Sequence, residues 1–194
     1  MSKRAQRVQE VAGYLLHSAA WRETSLIVQV FTREYGVAAL VAKGAKRPYS
    51  TLRPVLAAFQ PLVLSWSGSG EVKTLTRAES AGIHRLNGRA HMSAWYMNEL
   101  LLRLLPREDP HPVLYDAYEA ALQELALQQS AASALRRFEW RLLNETGYGL
   151  EEAPPDFDDR AQEPSLRMSL RARLDELLER PLLTRKVLME LQKY

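Results

Sequence analysis

A group of cations, a glycine and a tyrosine follows one of the apolar runs in the first quarter of the chain. It consists of Lys43, Gly44, Lys46 and Arg47, with Tyr49 two residues further on. Glycine exposes backbone amides and lets a phosphate approach, the cations neutralise phosphate charge, and the aromatic ring offers a stacking face. The pattern predicts a strand-exit loop that binds a phosphodiester backbone. A solvated basic turn is the alternative interpretation.

Other cations of the same region could extend this basic surface. We include Arg22, Arg53 and Lys73 in the predicted nucleic-acid site, and Arg33 and Arg77 are further candidates. Each of these residues alone is more often a solubilising side chain than a ligand contact. Their inclusion therefore depends on the prediction for the loop.

Four aromatic residues of this region are candidates for base stacking. Phe31 and Phe59 lie in apolar surroundings, which favours a place in the core over a place on the surface. Trp66 closes an apolar run, whereas Tyr49 lies in the basic loop itself. Tyr49 is therefore the preferred stacking residue.

A second basic group occurs on a predicted helix in the second half of the chain. Arg137 and Arg141 share one helical face at i, i+4 spacing, Arg136 precedes them, and Phe138 lies on an apolar face. A cationic rim beside an apolar groove suits an acidic peptide that ends in apolar residues, because arginine binds a terminal carboxylate in bidentate fashion. An ordinary amphipathic helix with pairing to Glu145 is the alternative, and the pattern alone favours it.

The densest carboxylate group is the run from Asp156 to Asp159. Its oxygens could coordinate a divalent cation, which would suit a metal-dependent nuclease. A metal site needs ligands held by a rigid frame, and this run follows Pro155 in the least periodic part of the chain. A solvated acidic loop is therefore the favoured interpretation.

Sequence motifs for catalysis are otherwise missing. The chain has no cysteine, no phosphate-binding Gly-x-x-x-x-Gly-Lys-Ser/Thr, no Gly-x-Ser-x-Gly and no His-Glu-x-x-His. The four histidines have no ligand-like spacing. We therefore expect a protein that is not an enzyme, with no catalytic residue, no metal and no cofactor.

Charge and hydrophobic period divide the 194 residues into two parts. Residues 1–80 contain 11 lysines and arginines against 5 glutamates, an excess of six positive charges, whereas residues 81–194 contain 15 against 18 acidic residues. The first part has short β-type runs separated by turns. Strands are predicted at residues 9–17, 25–32, 37–43, 55–66 and 71–78. We expect residues 1–80 to form a five-stranded OB-fold barrel that binds nucleic acid.

From about residue 85 the period becomes helical. Helices are predicted from Met92 to a stop before Pro106, and at residues 112–127, 130–146 and 165–179, with a last short helix that begins at Thr184. Residues 151–165 form an acidic, proline-rich loop without apolar periodicity. The expected fold is α+β with two domains, residues 81–194 forming a helical bundle.

Six short strings, in order, resemble one protein family. They are Trp21–Leu26, Val41–Lys46, Gly70–Leu75, Tyr96–Leu101, Leu135–Glu139 and Gly147–Gly149. In order and spacing they are similar to the bacterial RecO family of DNA repair proteins. Residues 184–191 also resemble the C-terminus of that family.

The resemblance implies an OB-fold followed by a helical domain, in a non-enzymatic recombination mediator. Such proteins bind single-stranded and double-stranded DNA, anneal complementary strands, act with RecR, and help to load RecA onto strands coated by single-strand-binding protein. It also implies that the loop at residues 43–47 binds DNA. Arg136, Arg137 and Arg141 then lie on the helix that docks the acidic tail of single-strand-binding protein, which reverses the preference stated above.

The sequence departs from the family pattern after Gly149. Family members commonly carry a longer segment here, often with four cysteines that bind zinc, whereas this chain has only residues 150–165 before the next helix. No stretch approaches the roughly 20 apolar residues of a membrane span, and the absence of cysteine favours a reduced, cytosolic setting. With the resemblance, this implies a cytoplasmic, nucleoid-associated protein. An RNA-binding adaptor and a metal-dependent nuclease are the alternative functions.

Overall fold

The computed structural model describes residues 6–150, 153–185 and 187, and its chain divides into two compact units. The first unit runs to His84 and also contains Pro106–Pro112; the second contains Arg85–Leu105 and the chain from Val113 onward. The strands are β1 (Gln6–Trp21), β2 (Ser25–Thr32), β3 (Gly36–Ala42), β4 (Pro61–Gly68) and β5 (Val72–Ser80). The helices are α1 (Leu52–Val55), α2 (Gly88–Leu104), α3 (Pro112–Ala126), α4 (Ala131–Glu145) and α5 (Glu163–Leu177).

The five strands close into a barrel in the order β1-β2-β3-β5-β4. All neighbours are antiparallel except β3 and β5, which pair in parallel over three residue pairs. The predicted fold class, a five-stranded OB-type barrel followed by a helical bundle, is confirmed.

β1 closes the barrel because it is long enough to pair with two strands. Its first half pairs with β4 and its second half with β2, with Gly13 and Tyr14 common to both. A bulge at Glu10, where φ is 53°, bends the strand, and the Glu10 amide donates to Ser65 Oγ at 3.0 Å. A side chain at Gly13 would lie 3.0 Å from the Phe31 carbonyl oxygen, so glycine permits the close approach of strands there.

The predicted strand at residues 55–66 is wrong in its first half. Residues 52–55 form the short helix α1, and β4 begins only at Pro61. Between them Phe59 has φ of 65°, a conformation that interrupts a strand. Its ring is buried, so an apolar run that resembles a strand is here a folded-back connection.

The aromatic residues of the barrel are mostly interior. Phe31 and Phe59 are buried, as predicted. Trp66 is also buried, with the Tyr35 ring edge-on at 5.4 Å between centroids. Trp66 therefore cannot stack on a base, and its place among the stacking candidates was wrong.

The segment Pro106–Pro112 is a strap on the barrel. The Glu108 amide donates to the Val37 carbonyl at 3.0 Å, and Glu108 has φ of 59°. At Gly36, where φ is 62°, a Cβ would lie 2.0 Å from the Asp109 carbonyl oxygen. Only glycine lets the strap lie this close to the start of β3.

The second unit is built from α2, α3, α4 and α5, close to the predicted ranges. Two helices begin at the expected kind of polar cap: Asn87 Oδ1 accepts from the Ala90 amide, and Ser130 Oγ from the Ser133 amide. Most of the short helix predicted from Thr184 lies outside the described residues. None of the described helices is long and apolar enough to cross a membrane.

Candidate functional site

The loop after β3 is anchored to the barrel by its backbone. Ala45 is buried in the barrel core, and the Lys46 amide donates to the Thr24 carbonyl in the β1–β2 turn at 2.9 Å. Gly44, with φ of 70°, lets the chain reverse so that the Arg47 amide reaches the Gly44 carbonyl at 3.0 Å. The loop is therefore a fixed platform.

This anchoring corrects one part of the sequence interpretation. The amides of Gly44, Lys46 and Arg47 donate to Ser25 Oγ, the Thr24 carbonyl and the Gly44 carbonyl. They are used within the protein, so they do not form a cradle for a phosphate. Any phosphate contact of this loop must come from the side chains.

The side chains of the loop are exposed. Lys43, Lys46 and Arg47 all face solvent, and within the described residues none of them forms an ion pair. Tyr49 is 99% exposed. Arg53 is also exposed, on the helix α1 that follows at once. Cations without carboxylate partners can neutralise an added polyanion without first breaking a bond.

The β1–β2 turn adds a residue that the sequence interpretation missed. Trp21, the last residue of β1, is 44% exposed, and the Arg22 guanidinium lies over its ring at 5.9 Å from the centroid. The hydrogen bond from Lys46 to Thr24 joins this turn to the loop. We call the exposed set the basic-aromatic surface: Trp21, Arg22, Lys43, Lys46, Arg47, Tyr49 and Arg53.

Lys73 does not belong to this surface. Its side chain is 6% exposed, and its ammonium group pairs with the Glu108 carboxylate of the strap. The long hydrocarbon stem is buried at the start of β5. Because Lys73 is buried and paired, its role as a nucleic-acid contact stays a prediction, which we do not include in the basic-aromatic surface.

The second unit contains an open groove of about 370 Å³. α2, α4, α5 and Arg185 line it. Its apolar wall includes Met92 and Leu135, and its cations are Arg136, Arg167, Arg171 and Arg185. An apolar wall beside several arginines suits a ligand with one apolar group and negative charge.

Arg136 is the groove cation that is bound most tightly. Its Nε and one terminal nitrogen donate to Glu139 at 2.7 and 2.8 Å, and the other terminal nitrogen donates to Glu163 at 3.3 Å. Glu139, 2% exposed, also accepts from the Tyr96 hydroxyl at 2.6 Å. Burial and the nearby Glu139 carboxylate raise the pKa of Tyr96, so its hydroxyl stays protonated and remains a donor.

Arg137 and Arg141 are not among the groove residues. Arg137 donates to Glu124 at 2.6 Å, lies 3.5 Å from Asp158, and sits over the Phe157 ring at 5.6 Å. Arg141 is exposed. Of the three arginines predicted to dock a partner, only Arg136 lies in the groove.

The acidic loop is folded onto α4. Phe157 meets the Trp140 ring edge-on at 6.3 Å between centroids, and Asp156 and Asp159 accept hydrogen bonds from backbone amides of their own turns. Among the residues that the structure describes, no group of three or more acidic or histidine side chains could hold a metal ion. The carboxylates at 156–159 stabilise the loop, and their arrangement lends no support to a nuclease.

Comparison with known proteins identifies the family. A family model described as the N-terminal part of recombination protein O matches residues 7–84, and one for the C-terminal part matches residues 85–153. The chain belongs to the RecO family. DNA repair protein RecO of Azoarcus sp. (strain BH72) is 54% identical over 147 residues, which are 75% of this chain and 60% of the relative. The protein of the same name from Cupriavidus pinatubonensis is 57% identical over 74% of this chain and 50% of the relative.

The two RecO family models cover all of the basic-aromatic surface but only part of the groove. The chain spans only about half to three fifths of the length of these relatives. The basic-aromatic surface lies wholly within the N-terminal match, and the boundary between the matches coincides with the division of the units after His84. Four groove residues lie beyond residue 153, where the C-terminal RecO match ends: Glu163, Arg167, Arg171 and Arg185. The RecO matches therefore cover only part of the groove.

Proposed function

We propose that this protein is a DNA repair and recombination mediator that binds and anneals single-stranded DNA. In this proposal it also binds double-stranded DNA, acts with RecR, and helps to load RecA onto strands coated by single-strand-binding protein. The names of the relatives support a role in DNA repair. The exposed chemistry of the barrel supports nucleic acid as the ligand.

The observation that carries the proposal is the basic-aromatic surface. It combines cations that lack carboxylate partners within the described residues with two exposed rings, Trp21 and Tyr49. Cations bind phosphates of any sequence, and aromatic rings stack on any unpaired base. Such a surface holds a strand without reading its sequence. Base pairing between two held strands then supplies the specificity of annealing.

The groove is the proposed docking site for the acidic tail of single-strand-binding protein. A negatively charged peptide would lie along Arg167, Arg171 and Arg185, and a terminal apolar side chain would contact Met92 and Leu135. Arg136 lies at the base of the groove, where it would meet a terminal carboxylate. Because Arg137 and Arg141 lie outside the groove, we give them a smaller part in docking than the sequence predicted.

The test of DNA binding is fluorescence anisotropy of a labelled single strand at several salt concentrations. Replacement of Lys43, Lys46 and Arg47 by alanine is expected to weaken binding and to make its salt dependence shallower. Each lost phosphate contact on a single strand reduces the log–log slope by about 0.7, so the expected change is about 2. Arg77→Ala is the matched control, because Arg77 is an exposed barrel cation that pairs with Glu79 at 2.7 Å.

An equal change of slope per charge removed, in Arg77→Ala and in the triple variant, would contradict the location of the DNA site. Failure of the wild-type protein to bind DNA at low salt would contradict the proposed function itself. A matched RNA strand separates the mediator from an RNA-binding adaptor, because phosphates and stacking alone do not distinguish the sugars.

A further inference from the structure

Glu163 has an unusual position in the groove. It lies in the first turn of α5, and its Oε1 accepts from the Arg136 guanidinium at 3.3 Å. It is itself one of the groove residues, with a side chain that is 23% exposed. The Glu163 carboxylate therefore already occupies the position beside Arg136 that the carboxylate of the proposed ligand would take.

The two carboxylates on Arg136 are held very differently. Glu139 is fully buried, makes two short bonds to the guanidinium, and is held in addition by the Tyr96 hydroxyl. Glu163 makes one longer bond and is open to solvent on one side. Removing Glu139 from the arginine would strand a buried charge, whereas Glu163 can move into water at little cost. Only the Glu163 position is exchangeable.

The chain before α5 holds the backbone of Glu163 in place, while its side chain stays free to turn toward water. The Glu163 amide donates to the Asp159 carbonyl at 3.1 Å, and Asp159 itself caps the Ala161 amide at 2.8 Å. Phe157, five residues before Gln162, the N-cap of α5, is held against Trp140. The acidic loop thus fixes the start of α5, which places the Glu163 side chain within reach of Arg136.

We propose that Glu163 is an internal competitor that occupies the Arg136 position meant for the terminal carboxylate of a docked peptide. The proposal rests on the proposed docking in the groove and adds a regulatory residue to it. A ligand with a free carboxyl terminus displaces Glu163 and replaces its bond to Arg136. Binding is weaker by the strength of the bond that is lost. The groove consequently selects ligands that supply a carboxylate of their own.

The experiment compares two labelled peptides on the full chain. One is a short run of aspartates that ends in phenylalanine with a free carboxylate, and its twin ends in an amide. Glu163→Gln is expected to tighten binding of the free-acid peptide by about threefold, the size of a partly exposed charge pair. The amidated peptide should gain less, because it has no carboxylate to take the vacated position.

A matched control separates this effect from net charge. Glu176→Gln removes one negative charge from the same helix, at a side chain that is 63% exposed and outside the groove, and should leave the free-acid peptide nearly unchanged. Equal gains in both variants, or an equal gain for both peptides, would overturn the internal competitor while leaving docking intact. If neither the wild type nor Glu163→Gln binds the free-acid peptide, docking in the groove fails and the competitor fails with it.

Discussion

The basic-aromatic surface and the groove use the same kind of side chain in opposite ways. On the barrel, Lys43, Lys46 and Arg47 face solvent and form no ion pair among the described residues. In the groove, Arg136 is bound by two carboxylates and Arg185 pairs with Asp175. Exposed lysines and arginines thus provide a cationic surface suited to polyanions in the first unit. In the second unit, paired arginines are held in fixed positions by carboxylates.

The difference has a consequence for recognition. Exposed cations act over a Debye length of about 10 Å at 0.1 M salt, so they attract any polyanion, and this attraction weakens as salt rises. A paired arginine has little net field at a distance, but its donors are held at fixed directions. The barrel surface is suited to many similar phosphates and the groove to a single well-placed group.

Loss of Glu139 should damage the groove unit most. Glu139→Ala leaves the guanidinium of buried Arg136 without its main partner, and breaking a buried pair from one side costs about 3–5 kcal/mol. Urea unfolding followed by helix circular dichroism measures the change in the free energy of unfolding. By the same contrast Lys46→Ala should stay within about 0.5 kcal/mol. A Glu139 variant as stable as the Lys46 variant would show that the buried ion pairs of the groove do not stabilise the second unit.

Lys73 offers a second contrast, within the barrel itself. Lys73→Ala removes a buried stem and its pair with Glu108, so we expect a loss of about 2 kcal/mol in the free energy of unfolding. The salt slope of DNA binding should not change, because the ammonium group is not on the surface. A shallower slope in this variant would return Lys73 to the nucleic-acid contacts.

Sequence patterns predicted the elements better than the roles of single cations. Periodicity identified four barrel strands and the four helices of the second unit, because burial of one face dictates that pattern, but it missed the short helix α1. It failed at Phe59, where a left-handed residue folds an apolar run back on itself. No local pattern separates Lys73 from Lys46, since the partner that buries Lys73 is Glu108, 35 residues away.

Other features of the sites left a signal that could have been used. Trp21 directly precedes a polar turn, and such connections lie on the protein surface. Arg167 and Arg171 stand at i, i+4 spacing on a predicted helix, as Arg137 and Arg141 do. Which of the two pairs faces a groove depends on how α5 packs on α4. That packing is a tertiary property that spacing within one helix does not contain.

Trp21→Ala tests whether the barrel surface recognises bases as well as phosphates. Stacking on an aromatic ring contributes about 1–3 kcal/mol per base, and a half-exposed ring should give the lower end, about a fivefold loss of affinity for single strands. Trp21→Phe should retain most of the affinity, and duplex DNA should bind both variants alike. Anisotropy with single-stranded and duplex probes makes the comparison. An equal loss for the duplex would mean that Trp21 only positions Arg22.

Glu99 of α2 should make the stability of the second unit depend weakly on pH. Glu99 accepts from the Leu183 amide at 2.8 Å and from the Thr184 amide and hydroxyl at 2.9 and 2.8 Å, next to Arg185 of the groove. Partial burial would raise the pKa of Glu99, but the hydrogen bonds from Thr184 and Leu183 outweigh it and lower the pKa below its ordinary value.

A lowered pKa in the folded state means that Glu99 stabilises the unit above the ordinary carboxyl range, and that this contribution is lost as the pH falls through the folded pKa. Glu99→Gln should therefore be less stable than the wild type at pH 7, by less than about 1 kcal/mol. The gap should narrow as the pH falls through the ordinary carboxyl range to about 4, because the unfolded wild-type chain then binds a proton at Glu99 that the folded chain does not yet bind. Urea unfolding at both pH values measures it, and a gap that widens on acidification would contradict the assignment. Lys46 forms no ion pair with a carboxylate among the described residues. The difference in the free energy of unfolding between Lys46→Ala and the wild type should therefore not change over the same pH range.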